Sequence, residues 1–300
     1  MQTEAQLNQQ FSIKGQLQFT EEVEGFVMAE ISNQYANARI STYAAQVISF
    51  LPKNTTEDVL FLSDKVVYKG GKAIRGGVPI CWPWFGDDTS GFGRPSHGFV
   101  RNQPWLVLAS AALSDGRTSI TLGLSDSESS RTVWPYKFKL ELEVIVGQTL
   151  EVKLTTKNVG NKAFSISQAL HTYFNISDVD NVSISGLDSK NYLDKLEGFN
   201  SKPQSGDVTL TGETDRIYQQ APTSVFLKDT GFNRTINIKS SGSKTTVIWN
   251  PWSTSVTKIA DLDDSSFRKF VCVETANAAD DMVTIQAENE HTITAKYEIV

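Results

Sequence analysis

A strict alternation of side-chain character marks residues 137–146. The even positions carry Phe, Leu, Leu, Val and Val, and most of the odd positions carry Lys or Glu. Because successive side chains of a strand point to opposite faces, this period of two predicts a half-buried β-strand. Gly147 and Gln148 follow as a turn, and residues 150–155 alternate again. The two segments therefore predict an antiparallel hairpin.

The same period of two recurs along the chain. It is present in residues 120–124, 247–249 and 293–299, whereas helical periodicity is nearly absent. The best candidates for helix are short segments near Asp64 or Ser265. Many short strands between turns rich in Gly, Asn, Asp and Ser are typical of a sandwich. The sequence therefore predicts an all-β fold, a large antiparallel β-sandwich with few short helices.

Length and charge narrow the class of protein. No compositional break marks a linker in the 300 residues, so we expect a single domain over residues 1–300. A net charge of -6 argues against a protein that binds nucleic acid or anionic membranes, because both require a broad basic field. The net charge does not exclude binding of a compact anionic ligand, since such a ligand needs only a few local cations.

The cysteines and the start of the chain indicate the compartment. Cys81 and Cys272 lie in apolar contexts, which predicts buried free thiols rather than a disulfide. The first fifteen residues lack the basic start and apolar stretch of a secretory signal. No run approaches the roughly 20 apolar residues of a membrane helix. We therefore expect a cytoplasmic protein.

Familiar cofactor and metal motifs do not occur in the sequence. Residues 70–77 are rich in glycine but lack the Gly-Lys-Ser/Thr ending of a phosphate-binding loop. There is no His-Glu-x-x-His motif and no Gly-x-Ser-x-Gly elbow. The three histidines, His97, His171 and His291, are scattered along the chain. We therefore predict neither a metal site nor a cofactor.

Two polar groups interrupt unusually apolar segments. Alternation places His171 on one face with Ala169 and Tyr173, which leaves room for a ligand. Glu274 lies in a run that is otherwise apolar, and a buried carboxylate must be paired or must titrate unusually. A structural salt bridge and a catalytic base both remain open for Glu274. His291 follows a polar turn, and we expect it to be solvated.

The segment PSHGFVRN, residues 95–102, contains one of the histidines. If it is a strand, His97, Phe99 and Arg101 project from the same face. The alternative is a half-exposed strand in which the histidine has its hydrogen bonds within the protein and no functional role. The preceding residues 69–95 form a long segment rich in Gly, Pro and Trp. Such a loop either carries function or only caps one end of the sandwich.

Four segments resemble the aldose 1-epimerase (galactose mutarotase-like) superfamily, in particular its hexose-6-phosphate mutarotase branch, glucose-6-phosphate 1-epimerase. They read AIRGGVPICWPWFG, SHGFVRNQPW, LHTYFNISD and FVCVETAN, and they occur in that order. The resemblance implies a single galactose mutarotase-like domain, a large sandwich with the sugar in a groove on one sheet. It implies the interconversion of the α and β anomers of hexose 6-phosphates, without a cofactor.

The resemblance also implies the acid and the base. The general base of the family falls on Glu274, and its general acid falls on His171. Mutarotation passes through the open-chain aldehyde, so a base must take the anomeric hydroxyl proton while an acid protonates the ring oxygen. This pair would supply both transfers.

The substrate-binding residues follow from the same resemblance. His97 would hold sugar oxygens, Asp194 would orient sugar hydroxyls, and Arg75 and Arg101 would receive the phosphate. A guanidinium suits phosphate because its planar fork donates to two oxygens at once. Ser96 departs from related sequences, which often carry glutamine before the histidine.

The resemblance leaves two alternatives to this function. One is a 1-epimerase of free aldoses, and the other is a carbohydrate-binding sandwich without catalysis. An interaction domain without a sugar site would also tolerate the aromatic loop. We expect a monomer whose partner is a small sugar phosphate, with no nucleic acid and no membrane.

Overall fold

The computed structural model describes residues 2–88 and 93–300. The helices in these ranges are α1 (Glu4–Phe11), α2 (Glu128–Val133) and α3 (Trp252–Ser255). The strands are β1 (Leu17–Val23), β2 (Phe26–Ser32), β3 (Ala36–Ser41), β4 (Gln46–Pro52), β5 (Ile80–Cys81), β6 (Leu106–Ala112), β7 (Thr118–Ser125), β8 (Phe138–Val146), β9 (Leu150–Asn158), β10 (Phe164–Ile166), β11 (Gln168–Leu170), β12 (Tyr173–Asn175), β13 (Val182–Ser185), β14 (Asn191–Asp194), β15 (Asn200–Pro203), β16 (Thr214–Gln219), β17 (Ser224–Asp229), β18 (Arg234–Ser241), β19 (Thr245–Asn250), β20 (Phe270–Asn277), β21 (Val283–Ile285) and β22 (Glu290–Ile299). The prediction of an all-β fold with few short helices is confirmed.

Two large antiparallel sheets form the body of the described fold. The front sheet has the order β15-β14-β16-β19-β20-β11-β5, and β12 also pairs with β20. The back sheet has the order β13-β17-β18-β22-β9-β8-β7-β6. A smaller sheet, β1-β2-β3-β4, and the pair β10-β21 complete the pairing.

The hairpin predicted from the alternation is confirmed. Strands β8 and β9 pair antiparallel, with Val146 opposite Leu150 beside the turn. Along β8 the even-numbered side chains are buried, and the odd-numbered ones are exposed or half-buried. The other alternating segments form parts of β7, β19 and β22. A period of two was sufficient to place β8 because one face of that strand is buried, while the other is exposed or half-buried.

The front and back sheets pack face to face through buried aromatic side chains. The ring of Phe174 on β12 meets the ring of Tyr297 on β22 edge to face, with the centroids 5.2 Å apart. The indole Nε1 of Trp82 donates to Thr156 Oγ1 on β9 at 3.1 Å. These contacts cross from one sheet to the other, so the predicted antiparallel sandwich is confirmed.

The prediction of a strand through residues 95–102 is wrong. His97 and Gly98 have positive φ angles of 65° and 74°, and a 3-10 helix follows at Val100–Asn102. The cause is a close backbone contact, since a Cβ on Gly98 would lie 1.8 Å from the carbonyl oxygen of Trp82. Only glycine fits this contact and this φ. The segment is therefore a tight turn pressed against the front sheet.

Two further expectations need correction. His291 lies in strand β22 and is half-buried, with Nε2 3.2 Å from Asn277 Oδ1, so it is not a solvated turn residue. A 3-10 helix at Ser266–Arg268 matches one helix candidate, whereas Asp64 lies in a turn. Helix α1 was not expected because it buries only Leu7 and Phe11. So few apolar positions give a weak helical period.

The two thiols agree with the prediction from the sequence. In the described part of the chain Cys81 and Cys272 are buried free cysteines, as predicted. Among the described helices none is long and apolar enough to cross a membrane.

Candidate active site

A cavity of about 260 Å³ opens on the front sheet and gathers most of the polar groups singled out above. It is lined by Arg75, Phe85, His97, Arg101, His171, Tyr173, Lys195, Asp215, Trp249, Ile259 and Glu274. A larger cavity, of about 610 Å³, lies on the small sheet β1-β2-β3-β4, but histidine and cysteine are not among its described lining residues. The histidines that could take part in acid-base catalysis therefore lie in the smaller cavity.

Glu274 lies in the middle of β20 and is only 1% exposed. Its Oε1 lies 3.4 Å from His171 Nε2, while its Oε2 is buried without a hydrogen-bond partner among the described residues. Burial raises the pKa of this carboxyl well above its ordinary value, and the nearby charge of Asp215 acts in the same direction. Such a carboxylate is a strong base when it is ionised.

His171 directly follows β11. Its backbone N–H donates to the carbonyl of Pro79 at 2.9 Å. The residue is 7% exposed, and its ring stacks on Tyr173 with the centroids 5.1 Å apart. Nδ1 has no hydrogen-bond partner in residues 2–88 and 93–300. Burial, followed by the charges of Arg101 and Arg75, lowers the pKa of His171 to about 3.

His97 reaches the cavity from the turn rather than from a strand. Its ring centroid lies 5.5 Å from that of His171 and 5.1 Å from that of Phe85. Nδ1 accepts the N–H of Gly86 at 3.3 Å, which fixes the ring hydrogen on Nε2. Burial and the charge of Arg101 lower the pKa of His97 well below its ordinary value. A neutral His97 can thus donate one hydrogen bond to a ligand.

Arg75 is held rigidly at the wall of the cavity. Its Nε donates to Asp261 Oδ1 at 3.0 Å, and its Nη1 donates to Tyr173 Oη at 3.1 Å. Among the described residues, Arg101 donates from Nη2 to the carbonyl of Ser96 at 3.0 Å. The Nε of Arg101 is buried, and no described residue accepts its hydrogen. Arg101 therefore keeps a donor that a ligand could use.

The structure does not place Asp194 among the residues that line the cavity. Its carboxylate accepts the N–H of Leu196 at 3.1 Å and the Nζ of Lys202 at 3.1 Å. Asp215 on β16 lines the cavity instead, and its Oδ2 lies 2.7 Å from Lys195 Nζ. Burial raises the pKa of Asp215, whereas the charge of Lys195 lowers it.

Sequence reasoning missed both Asp215 and Lys195. Asp215 lies between other charged residues in the segment ETDR, so nothing in its local context marks it as buried. Lys195 directly follows Asp194, the residue that the resemblance expects to orient the sugar hydroxyls. The side chain of Ser96 is not part of the cavity lining, and only its carbonyl contributes, by holding Arg101.

Similarity to known proteins agrees with this geometry. A family model described as aldose 1-epimerase matches residues 28–298. The chain belongs to the aldose 1-epimerase family. It is therefore an isomerase of the mutarotase type, and the cavity with His171 and Glu274 is the candidate active site of this epimerase.

Two relatives match this chain over most of their own length. Both are named "Putative glucose-6-phosphate 1-epimerase", and they come from Escherichia coli K12 and Salmonella typhimurium LT2. The first is 34% identical over 262 residues, 87% of this chain and 86% of the relative. The second is 36% identical over 249 residues, 83% of this chain and 82% of the relative. A crystal structure of a "putative mutarotase" from Salmonella typhimurium has a TM-score of 0.88 and 32% identity, and the match covers 97% of this chain and 95% of that one.

One group of side chains in the epimerase has the composition of a metal site. Ligand atoms of His171, Cys272 and Glu274 all lie within 4.8 Å of one another. The positive charges of Arg75 and Arg101 act on the same cavity and oppose a divalent cation there. We therefore assign no metal to these residues.

Proposed function

We propose that this epimerase interconverts the α and β anomers of hexose 6-phosphates, with glucose 6-phosphate as a substrate. The observation that carries the proposal is the 3.4 Å contact between His171 Nε2 and Glu274 Oε1 inside a cavity lined by Arg75, Arg101 and Lys195. An acid-base pair supports anomer exchange, and the local cations support a phosphorylated sugar. The names of the relatives support the same substrate.

In the proposed reaction Glu274 removes the proton of the anomeric hydroxyl while His171 protonates the ring oxygen. The ring opens to the aldehyde, which rotates about its bond to the neighbouring carbon. Closure from the other face then reverses both proton transfers. Each group acts once as acid and once as base, so the pair ends the cycle in its initial protonation state.

The remaining polar residues would hold the sugar in place. The Nε2–H of His97 donates to a sugar oxygen, and the Asp215 carboxylate accepts from a hydroxyl. Lys195, which is paired with Asp215 at 2.7 Å, keeps that carboxylate in position. Asp194 would act only indirectly, since its carboxylate is engaged by Leu196 and Lys202.

The phosphate would be bound by Arg75 and Arg101. Arg75 is oriented by Asp261 and Tyr173, which reduces the entropy lost on binding. Arg101 has a buried Nε that no described residue engages, so an anion would satisfy it. In a protein with a net charge of -6, such local cations are needed to attract an anionic substrate.

The deciding experiment is an assay of anomer equilibration by polarimetry or exchange NMR. Glucose 6-phosphate, free glucose and free galactose are compared at equal concentration. We expect kcat/KM to be highest for glucose 6-phosphate. Preference for a free hexose would favour a free-aldose 1-epimerase, and binding of all three sugars without turnover would favour a carbohydrate-binding sandwich.

Three further expectations stay predictions. These are the monomeric state, the location in the cytoplasm and the single domain over residues 1–300. Gel filtration with light scattering, cell fractionation and limited proteolysis test them in turn.

A further inference from the structure

Ser63 is buried and is not among the described residues that line the cavity. Its backbone N–H donates to the carbonyl of Arg75 at 3.1 Å. Its hydroxyl donates to the backbone carbonyl of Asp261 at 2.6 Å. The carboxylate of Asp261 in turn accepts the Nε–H of Arg75 at 3.0 Å. Ser63 therefore contacts both an arginine of the cavity and the counter-ion of that arginine.

The hydrogen of the Ser63 hydroxyl has a fixed direction. A hydroxyl has one hydrogen to donate, and the Oγ of Ser63 also accepts the backbone N–H of Lys65 at 3.1 Å. The single hydrogen is therefore directed at the carbonyl of Asp261, a residue 198 positions away in the chain. The bond joins the segment between β4 and β5 to the segment between α3 and β20. The second segment also supplies Ile259 to the cavity lining.

The backbone around Arg75 is fixed on both sides. The buried side chain of Gln46 donates from Nε2 to the carbonyls of Ile74 and Gly76, at 3.1 and 2.6 Å. The N–H of Ser63 donates to the carbonyl between them. Three consecutive carbonyls thus accept hydrogen bonds from neighbouring segments. The remaining freedom of Arg75 is that of its side chain.

The side chain of Arg75 has two acceptors that differ in their support. Tyr173 lies on β12, which pairs with β20 in the front sheet. Asp261 lies in a turn, so its position depends on contacts such as the hydrogen bond from Ser63. An arginine side chain has many rotamers, and their entropy is lost when a ligand fixes the guanidinium. An acceptor that is held in place reduces this loss.

We propose that Ser63 is a positioning residue for phosphate recognition, because its hydroxyl holds the turn from which Asp261 orients the guanidinium of Arg75. This inference rests on the proposed function and names a residue that acts on phosphate binding without contacting the substrate. Ser63 takes no part in the proton transfers, since it lies outside the cavity lining that contains His171 and Glu274. Its loss should therefore weaken binding of the phosphate and leave turnover unchanged.

The test compares Ser63→Ala with the wild type, with inorganic phosphate as the probe. The substitution removes the hydroxyl and keeps the backbone N–H that donates to Arg75. A net hydrogen bond changes an equilibrium by about 2-fold to 12-fold, so the Kd for phosphate, measured by calorimetry, should rise within that range. KM for glucose 6-phosphate should rise similarly, with kcat little changed. An unchanged Kd overturns the proposal, and so does a wild type that binds no phosphate or a fall in kcat at unchanged KM.

Ser110→Ala is a matched control for lost stability. The hydroxyl of Ser110 also donates to a distant backbone carbonyl at 2.6 Å, that of Phe11, and Ser110 lies on β6 outside the cavity lining. Thermal unfolding should show a loss of stability in both alanine variants, whereas the Kd for phosphate should change only in Ser63→Ala. Equal changes in Kd would overturn the proposal. Ser63→Cys keeps the shape of the side chain but donates only weakly, so it should raise Kd in the same direction and replaces Ser63→Ala if that variant does not fold.

A double-mutant cycle tests whether Ser63 acts through Arg75. In the Arg75→Ala protein the guanidinium is absent, so adding Ser63→Ala should cause little further loss of kcat/KM for glucose 6-phosphate. Additive losses in the double variant would show that Ser63 acts through another group, and they would contradict the proposal.

The outcome is separable from that of the proposed function, because binding of inorganic phosphate is measured without a sugar. If Ser63→Ala weakens phosphate binding but the wild type does not epimerise glucose 6-phosphate, the proposed function fails and the positioning role stands. If the wild type epimerises glucose 6-phosphate and Ser63→Ala binds phosphate as the wild type does, the function stands and this inference fails.

Discussion

The rings of His171 and Tyr173 are stacked, with their centroids 5.1 Å apart and their planes at 14°. The hydroxyl of Tyr173 accepts a hydrogen bond from Arg75 at 3.1 Å. One tyrosine thus contacts both the proposed acid and a proposed phosphate ligand. Tyr173 therefore has two separable roles: its ring supports the proposed acid, and its hydroxyl orients the arginine proposed to bind phosphate.

Tyr173→Phe should weaken phosphate binding and spare the chemistry. The ring that stacks on His171 is kept, while the acceptor of the Arg75 hydrogen bond is lost. A net hydrogen bond contributes about 0.5–1.5 kcal/mol, so KM for glucose 6-phosphate should rise about 2-fold to 12-fold with kcat little changed. Steady-state kinetics check this, with Tyr43→Phe, which loses a bond to Lys72 outside the cavity lining, as control. A fall in kcat at unchanged KM would show that the hydroxyl acts on the reaction.

Glu274→Gln should nearly abolish anomer exchange. The amide has almost the same shape but accepts no proton, and acid-base groups typically contribute about 100-fold to 10,000-fold. Thermal unfolding should show an intact fold, because the substitution removes a buried ionisable group. Glu143→Gln on the back sheet is the control and should keep full activity. A folded Glu274→Gln protein with near-normal turnover would remove Glu274 from its role.

His171→Asn should lower kcat more than it raises KM. The contribution of an acid is greatest in the transition state, so its loss appears mainly in turnover. The matched control is His291→Asn, since His291 lies in β22 and does not line the cavity. If only KM rose, His171 would be a binding residue.

Arg75→Ala and Arg101→Ala should each change substrate preference. A charge-assisted hydrogen bond contributes roughly 1.5–3 kcal/mol, so kcat/KM for hexose 6-phosphates should fall about 10-fold to 150-fold. Free hexoses should be affected far less. The ratio of the two kcat/KM values measures this, with Lys239→Ala as a charge control outside the cavity lining. Equal losses on both sugars would argue against a phosphate clamp.

The stability of the protein should depend on pH through His171. Burial lowers its pKa from 6.5 to about 3, with Arg101 and Arg75 acting in the same direction. Between these values the unfolded state binds the additional proton, so the free energy of unfolding should decrease as pH falls, by up to about 1.4 kcal/mol per pH unit. His97 has the same sign and Glu274 the opposite one. The difference between wild type and His171→Gln in urea unfolding isolates His171, and a difference independent of pH would contradict the prediction.

Local sequence determined the strands and part of the site. The alternation in residues 137–146 was sufficient for the β8–β9 hairpin, because burial of one face imposes a period of two on the sequence itself. Glu274 could be found in the same way, since a carboxylate in an apolar strand is costly wherever the strand lies. The resemblance of four segments to the family then assigned roles to these residues in a candidate site.

Only the tertiary structure decided how the site is assembled. His97 and Arg101 reach the cavity from a turn that exists because the backbone of Gly98 is pressed against Trp82, a contact that no local pattern encodes. The presence of Asp215 rather than Asp194 in the cavity lining likewise depends on how β14, β16 and β19 pair. Side-chain period follows from the faces of a single strand, whereas convergence on a cavity depends on pairings between residues far apart in the chain. The sequence by itself therefore determined which residues are unusual, and the packing of the sheets determined which of them meet.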